Sequence, residues 1–283
     1  MFPKTDTTIC INGVLKRTNM KNNKDLGYAL VTGGAKGIGR ALSEELAKNM
    51  FNLLLIGRDQ IALDKAKEEI KLKGYHIDIQ TLSLDLTNLE SYNKIFEYVK
   101  ENNISLKLVV NNAGASKLER LSDLTTDNIQ KETTLDLIAP VSLMLKYYEY
   151  LKENNLVGEV ININSLVVRS KSHPRLGLYR SLKISLDDLS KELDKDLREN
   201  GYINLDIYNT YLGAITGTGI ETAKVADKSP GKLTTTEVAK IIVEEYMKGN
   251  KVIVPGFINK LAYFFSPLVP DFIARNSLRK LYS

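Results

Sequence analysis

From Tyr28 onward the chain alternates short runs rich in Val, Ile and Leu with longer segments of helical period. Few architectures accept that order. Each run is too apolar to leave either face in water, and helices between successive parallel strands cover both faces at once. The strand runs are 28–32, 53–56, 77–82, 107–111, 159–164, 204–208 and 251–254. The helical segments are 38–50, 59–73 with Gly74 as a C-cap, a stretch opened by Thr87 and ending near Asn103, 126–154 with a break near Pro140, and 178–200 stopped by Gly201. The predicted fold is α/β, one doubly wound parallel sheet of about seven strands. No repeat or low-complexity linker divides it, so the reading is an N-terminal extension over 1–27, one domain over 28–255 and a tail over 256–283.

Composition removes several function classes. The 283 residues are 43% hydrophobic and 26% charged, ordinary for a globular chain. The single cysteine, Cys10, has no internal disulfide partner, and a reducing, cytoplasmic setting is expected. With only His76 and His173, a zinc site and a histidine-based triad lack raw material, so no metal is expected. The net charge of +5 sits at the ends: residues 1–27 carry +3 and residues 251–283 carry +4, leaving the stretch between them at −2. That distribution gives no basic face for nucleic acid. The start of the chain has no apolar run of signal-peptide length, and the 10-residue stretch 261–270 is far short of the ~20 that span a bilayer.

The first strand runs into Thr32-Gly33-Gly34-Ala35-Lys36-Gly37-Ile38-Gly39 and then directly into a helix. Glycines at such a turn let the backbone approach a pyrophosphate, which the free N–H groups and dipole of the helix attract. Three further motifs follow in order: Asn111-Asn112-Ala113-Gly114 after the fourth strand, Ser165 at the end of the fifth, and Tyr179-x-x-x-Lys183 14 residues beyond that serine. Together these resemble the short-chain dehydrogenases/reductases built on one Rossmann-type domain.

The resemblance implies a nicotinamide dinucleotide held by Gly33, Lys36, Gly37, Ile38 and Gly39 of the turn, Asp85 after the third strand, and Asn111, Ala113 and Gly114. The tyrosine and lysine also contact the nicotinamide ribose in that family. The second strand ends Ile56-Gly57-Arg58, without the acid that usually binds the ribose 2′-hydroxyl. Arg58 and Lys36 are therefore assigned to a 2′-phosphate, which makes NADP(H) the expected cofactor. Without that role both read as solvated surface charges.

Tyr179 and Lys183, four apart, share one helix face. An ammonium there favours phenolate and lowers a pKa that starts near ~10. In the reduction direction the resemblance gives Ser165 a hydrogen bond to the substrate carbonyl and Tyr179 the proton for the developing alkoxide. Asp136 stands where relatives carry an asparagine that holds a relay water. A carboxylate there accepts the same hydrogen bonds but is expected to raise the Tyr179 pKa. In the segment from Tyr211 to Thr216, Leu212 replaces a proline of the family, while Gly213 and Thr216 suit a loop closing over the nicotinamide. His173 reads as a surface-loop residue, with the substrate mouth as the alternative.

Four of seven phenylalanines follow residue 250, and Ile258, Leu261, Ala262 and Phe265 make a helix stripe that Ala274, Leu278 and Leu281 repeat, among Lys260, Arg275, Arg279 and Lys280. Such an amphipathic helical tail suits a membrane surface, an apolar substrate lid or a subunit interface, or it packs on the body as core. Its Pro255-Gly256-x-x-Asn259-Lys260-Leu261 order resembles the tails of lipid-directed family members.

The expected function is an NADPH-dependent carbonyl reductase or alcohol dehydrogenase for an apolar ketone of 3-oxoacyl, sphingoid or steroid-like type. The expected assembly is a homo-oligomer, a dimer or tetramer, with peripheral membrane contact through the tail, and the loops at 116–125 and 216–230 are expected to shape the pocket. The alternative is a non-catalytic NADPH-binding protein acting through that tail. A nucleotide-sugar epimerase or dehydratase is disfavoured by the glycine spacing.

Overall fold

The computed structural model describes residues 27–115, 118–218 and 229–281, with 277–281 as backbone alone. Apart from Gly27, the N-terminal extension and Cys10 lie outside the described residues, as do Ser116, Lys117 and residues 219–228 of the two pocket loops.

Seven parallel strands form the sheet: β1 (Tyr28–Thr32), β2 (Asn52–Gly57), β3 (Ile79–Ser83), β4 (Leu106–Asn111), β5 (Gly158–Ser165), β6 (Leu205–Leu212) and, last in the sheet, β9 (Val252–Ile253). Their order is β3-β2-β1-β4-β5-β6-β9. The order reverses between β1 and β4, and a doubly wound sheet opens its ligand crevice at that point. The apolar runs are buried on both faces as expected. Ala29, Val31, Leu53 and Leu55 join a core on one side, and Leu30, Leu54, Val109 and Val160 a core on the other.

Helices α1 (Gly37–Lys48), α2 (Gln60–Lys71) and α3 (Glu90–Glu101) link the first strands. The expected break near Pro140 is a π turn over Thr134–Ile138, between α4 (Thr126–Thr133) and α5 (Ala139–Asn154). Pro140 has no N–H to donate into the α ladder, and a wider turn just before it absorbs the register change. Helix α6 (Gly177–Glu199) follows β5.

Three differences from the sequence expectation stand out. Strand β6 runs four residues further than expected, to Leu212. A small parallel pair, β7 (Ile215–Thr216) with β8 (Leu233–Thr234), sits beyond it. Helix α7 (Thr235–Met247) was not expected, although its capping box of Thr234 and Glu237 marks its start. The tail forms α8 (Phe257–Phe265), a 3₁₀ turn (Ser266–Leu268) and α9 (Asp271–Leu281). Among the described residues no helix is long and apolar enough to cross a membrane.

Candidate active site

The turn from β1 to α1 lies at the switch point. Gly33 and Gly37 have φ of 66° and 56°, left-handed values that suit glycine. A Cβ on Gly39 would collide with the Gly33 carbonyl oxygen, so the turn closes only without one. Asn112 ties it down: its Nδ2 donates to the Thr32 carbonyl at 2.8 Å, while the N–H groups of Asn112 and Ala113 each donate to Thr32 Oγ1 at 2.9 Å. Helix α1 opens here with Lys36 at its N-cap and no side-chain cap. Uncapped amides facing a glycine-walled hollow fit a pyrophosphate.

That hollow is one end of a cavity of about 690 Å³. Gly33, Lys36, Gly37 and Ile38 line it on one side, and Ala113, Gly114 and Gly213 on the other. Gly39 packs behind the turn. Arg58 and Asp85 follow β2 and β3, beyond the cavity wall. Asp85 accepts from the Thr87 N–H and hydroxyl, both at 2.9 Å. Burial raises its pKa, but those bonds and the charge of Arg58 outweigh it and hold the carboxyl below its ordinary value. Lys36 pairs with Asp59 at 3.3 Å in solvent. Thr216 sits in β7, one residue past the lining residue Ile215.

Asn111 departs from expectation. Its side chain points into the sheet, where Nδ2 donates to Asn162 Oδ1 at 2.9 Å and to the Pro140 carbonyl at 3.3 Å. Asn162 in turn donates to Asn209 Oδ1 at 3.2 Å, so three amides on β4, β5 and β6 form a buried ladder. The second asparagine of the motif, Asn112, lines the cavity instead.

Ser165 ends β5 and Tyr179 lies in the first turn of α6, and both line the cavity. Lys183, one turn on, is buried behind them with Nζ 5.7 Å from the Tyr179 ring centre. Its ammonium donates to the Ile163 carbonyl at 3.2 Å and faces Asp136 Oδ1 at 3.4 Å. The π turn delivers Asp136 to this place, and its Oδ2 accepts from the Ala115 N–H at 3.0 Å. Burial pushes the Asp136 carboxyl up, against Lys183 and that hydrogen bond. Burial likewise raises the Tyr179 phenol; Lys183 lowers it, Asp136 raises it and a hydrogen bond with Ser165 lowers it. The net direction is upward, with Asp136 contributing in the expected sense.

His173 stays in a loop, half-buried, but takes the alternative place at the cavity rather than the open surface. It lines the cavity beside Tyr179, and burial, aided by the charge of Arg180 against a bond to the Pro174 backbone, lowers its pKa to about 4. The chain past Ser165 turns back over the site, which a short sequence window cannot reveal. The tail also reaches it: Asn259, Ser266, Val269 and Ala274 are lining residues. Asn259 is buried, donates to the Pro255 carbonyl at 2.8 Å and the Gly231 carbonyl at 3.3 Å, and touches position 213, where a Cβ would collide with its side chain. Arg169, just past Ser165, donates to the Tyr263 carbonyl at 3.1 Å and stacks 4.7 Å from its ring centre.

A family model for short chain dehydrogenases matches residues 27–229. The chain belongs to the short-chain dehydrogenase family. Its members are NAD(P)-dependent oxidoreductases, and this chain is one. The chain is 27% identical to a very-long-chain 3-oxoacyl-CoA reductase-like protein of Arabidopsis thaliana, over 86% of this chain and 77% of that one. It is 26% identical to an uncharacterized oxidoreductase of Mycobacterium bovis, over 76% of this chain and 62% of the relative's length. The fold matches a short-chain dehydrogenase from Sphingobium yanoikuyae in complex with NADPH, with a TM-score of 0.72, 21% identity, and coverage of 90% of this chain and 96% of that one.

Proposed function

We propose that this dehydrogenase is an NADPH-dependent reductase of apolar ketones, of 3-oxoacyl, sphingoid or steroid-like type. One observation carries the reading: Ser165 and Tyr179 meet in the wall of a single cavity that has a glycine cradle at one end and Leu166, Val167, Leu176 and Leu212 at the other. The similarity to the very-long-chain 3-oxoacyl-CoA reductase-like protein of Arabidopsis supports it.

When bound, a reduced nicotinamide supplies the hydride. Ser165 Oγ orients the ketone oxygen by hydrogen bonding, and the Tyr179 hydroxyl beside it gives up its proton as the alkoxide develops. Lys183 offsets the phenolate left behind, across 5.7 Å to the ring centre. Lowering a phenol by about three pH units takes roughly 4 kcal/mol, a large demand on one ammonium already shared with Asp136. The apolar wall and the tail helices exclude water from the reacting carbon. Tyr179→Phe should reduce turnover by about 10²–10⁴-fold with cofactor binding retained. Unchanged turnover overturns the mechanism.

Lys36 in the cavity wall and Arg58 at the end of β2 support the preference for NADP(H) over NAD(H). Exposed Leu145 on α5 and Leu189 on α6 support a homo-oligomer paired through these long helices. The outward side of the tail, with Phe257, Phe264, Leu268 and Phe272 all more than 65% exposed, supports peripheral membrane contact. The single cysteine suits the cytoplasm. A second reading, a non-catalytic NADPH-binding protein, draws on the Asp136–Lys183 pair, which diverts charge from Tyr179. Tight NADPH binding without oxidation across a panel of ketones would favour it.

A further inference from the structure

A second cavity, of about 830 Å³, adjoins the first, and His173 lines both. Arg120, Lys171, Arg175, Arg180 and Arg275 line the second cavity, and among the described residues no Asp or Glu does. They come from separate places: the segment after β4, the loop between Ser165 and α6, α6 itself, and the tail helix α9. Many other cations on this surface are paired at short range, as Lys191 is with Asp187 at 2.6 Å and Arg198 with Asp194 at 2.9 Å. Among the described residues none of the five has such a carboxylate partner; Arg180 Nε instead donates to the Ser170 carbonyl at 2.8 Å, which fixes its guanidinium at the cavity.

A backbone feature strengthens the positive field. Helix α6 opens on this cavity through Gly177, Leu178 and Ser181, its N-cap Leu176 offers no side-chain acceptor, and its first turn has no acid. The positive end of a 23-residue helix dipole therefore faces the same hollow. Arg175 is held at φ 61°, an uncommon conformation for a residue with a side chain, directly before that helix. Five like charges in one concavity repel each other, and an anion entering it relieves that repulsion. No residue of the glycine turn lines this cavity, so it is separate from the dinucleotide cradle.

We infer that the second cavity binds a phosphate-bearing head group of the substrate, with the ketone-bearing apolar chain passing His173 into the first cavity. This rests on the reductase reading for the ketone, while the anion site stands on the cavity alone. The substrate is thus an amphiphile, and its head is either a soluble phosphorylated carrier or a phospholipid head group.

Binding of inorganic pyrophosphate to the full chain, measured by calorimetry with NADPH saturating and at 0.15 M salt, tests the site. The variant K171Q/R175Q/R275Q should bind at least ~10-fold more weakly, while K36Q/R58Q should bind as the parent does. In a parallel arm, the triple variant should lose binding to phosphatidic acid vesicles if the head is a lipid's. With a 3-oxoacyl thioester of coenzyme A the triple variant should raise KM about 10-fold at unchanged kcat. The N-acetylcysteamine thioester of the same acyl chain, which lacks phosphates, should be unaffected. Equal binding by parent and triple variant, loss of binding in K36Q/R58Q instead, or no binding of either phosphate probe by the parent overturns the proposal. If no ketone is reduced yet pyrophosphate still requires the three cations, the reductase reading fails and the anion site stands.

Discussion

The carboxylate of Asp136 and the ammonium of Lys183 face each other at 3.4 Å, and both side chains are almost wholly buried. Asp136 also holds the Ala115 N–H, so one side chain links the Gly114-Ala115 backbone to the lysine beneath Tyr179. Its negative charge raises the phenol that the lysine lowers.

Asp136→Asn keeps the shape and removes that charge, so the Tyr179 pKa should fall. In alcohol oxidation, where phenolate is the base, the rising limb of kcat against pH should move down by roughly one pH unit. A limb that stays in place or moves up refutes the assignment. Asp136→Ala leaves the buried lysine unpaired and should cost about 3–5 kcal/mol in denaturant unfolding.

Cofactor choice tests Arg58. Its replacement by Asp should lower the ratio of kcat/KM for NADPH over NADH at least about 10-fold, the scale of one charge-assisted contact. Because Lys36 is shared with Asp59 in solvent, Lys36→Gln should shift the ratio less. Comparable kcat/KM for the two cofactors in the unaltered protein contradicts the preference.

Asn259 pins the tail among Gly213, Gly231 and Gly256. Asn259→Ala removes two hydrogen bonds and leaves a void, and thermal unfolding should register a loss of about 1–3 kcal/mol. Because α8 forms part of the cavity wall, KM for a long-chain ketone should rise more than kcat falls. Unchanged Tm and KM would show that the contact is dispensable.

Burial favours neutral His173, whose pKa of about 4 lies below the ordinary 6.5. The unfolded chain then binds the proton more readily, so the stabilisation is fully present above pH 6.5 and is lost as pH falls from 6.5 toward 4. His173→Gln should flatten the fall of Tm across that window, where the slope from one such group is at most about 1.4 kcal/mol per pH unit. An identical acid profile in the variant places the titration elsewhere.

The sheet and the grouping of Ser165, Tyr179 and Lys183 are legible in the sequence because local pattern encodes them. Buried parallel strands need unbroken aliphatic runs, the phosphate turn needs Gly33, Gly37 and Gly39 at fixed spacing, and Tyr179 meets Lys183 through one helical turn. What escapes a linear reading depends on contacts between distant segments. Asn259 is seen in a tail motif, but its place against Gly213 and Gly231 arises only when the tail folds back. His173 is half-buried in a loop beside the cavity. Arg120, Arg175 and Arg275 are far apart in the chain and share a cavity only in three dimensions. Asn111 carries a family motif, yet its neighbours Asn162 and Asn209 send its side chain into the sheet. Helix α7 announces itself through the Thr234 and Glu237 capping box and was legible in principle.

The amide ladder of Asn111, Asn162 and Asn209 also bears on how the strands find their alignment. The aliphatic residues around it are nearly interchangeable, so hydrophobic burial alone rewards several offsets of β4, β5 and β6 almost equally. Asn111 lies opposite Asn162, and Asn162 opposite Asn209, in a single offset of the three strands. Any slide strands polar amides against hydrocarbon, at a cost that an all-aliphatic sheet would not incur. The same offset brings Ser165 to the end of β5 beside Leu212, so the device that selects one strand alignment also sets the height of the serine in the cavity wall.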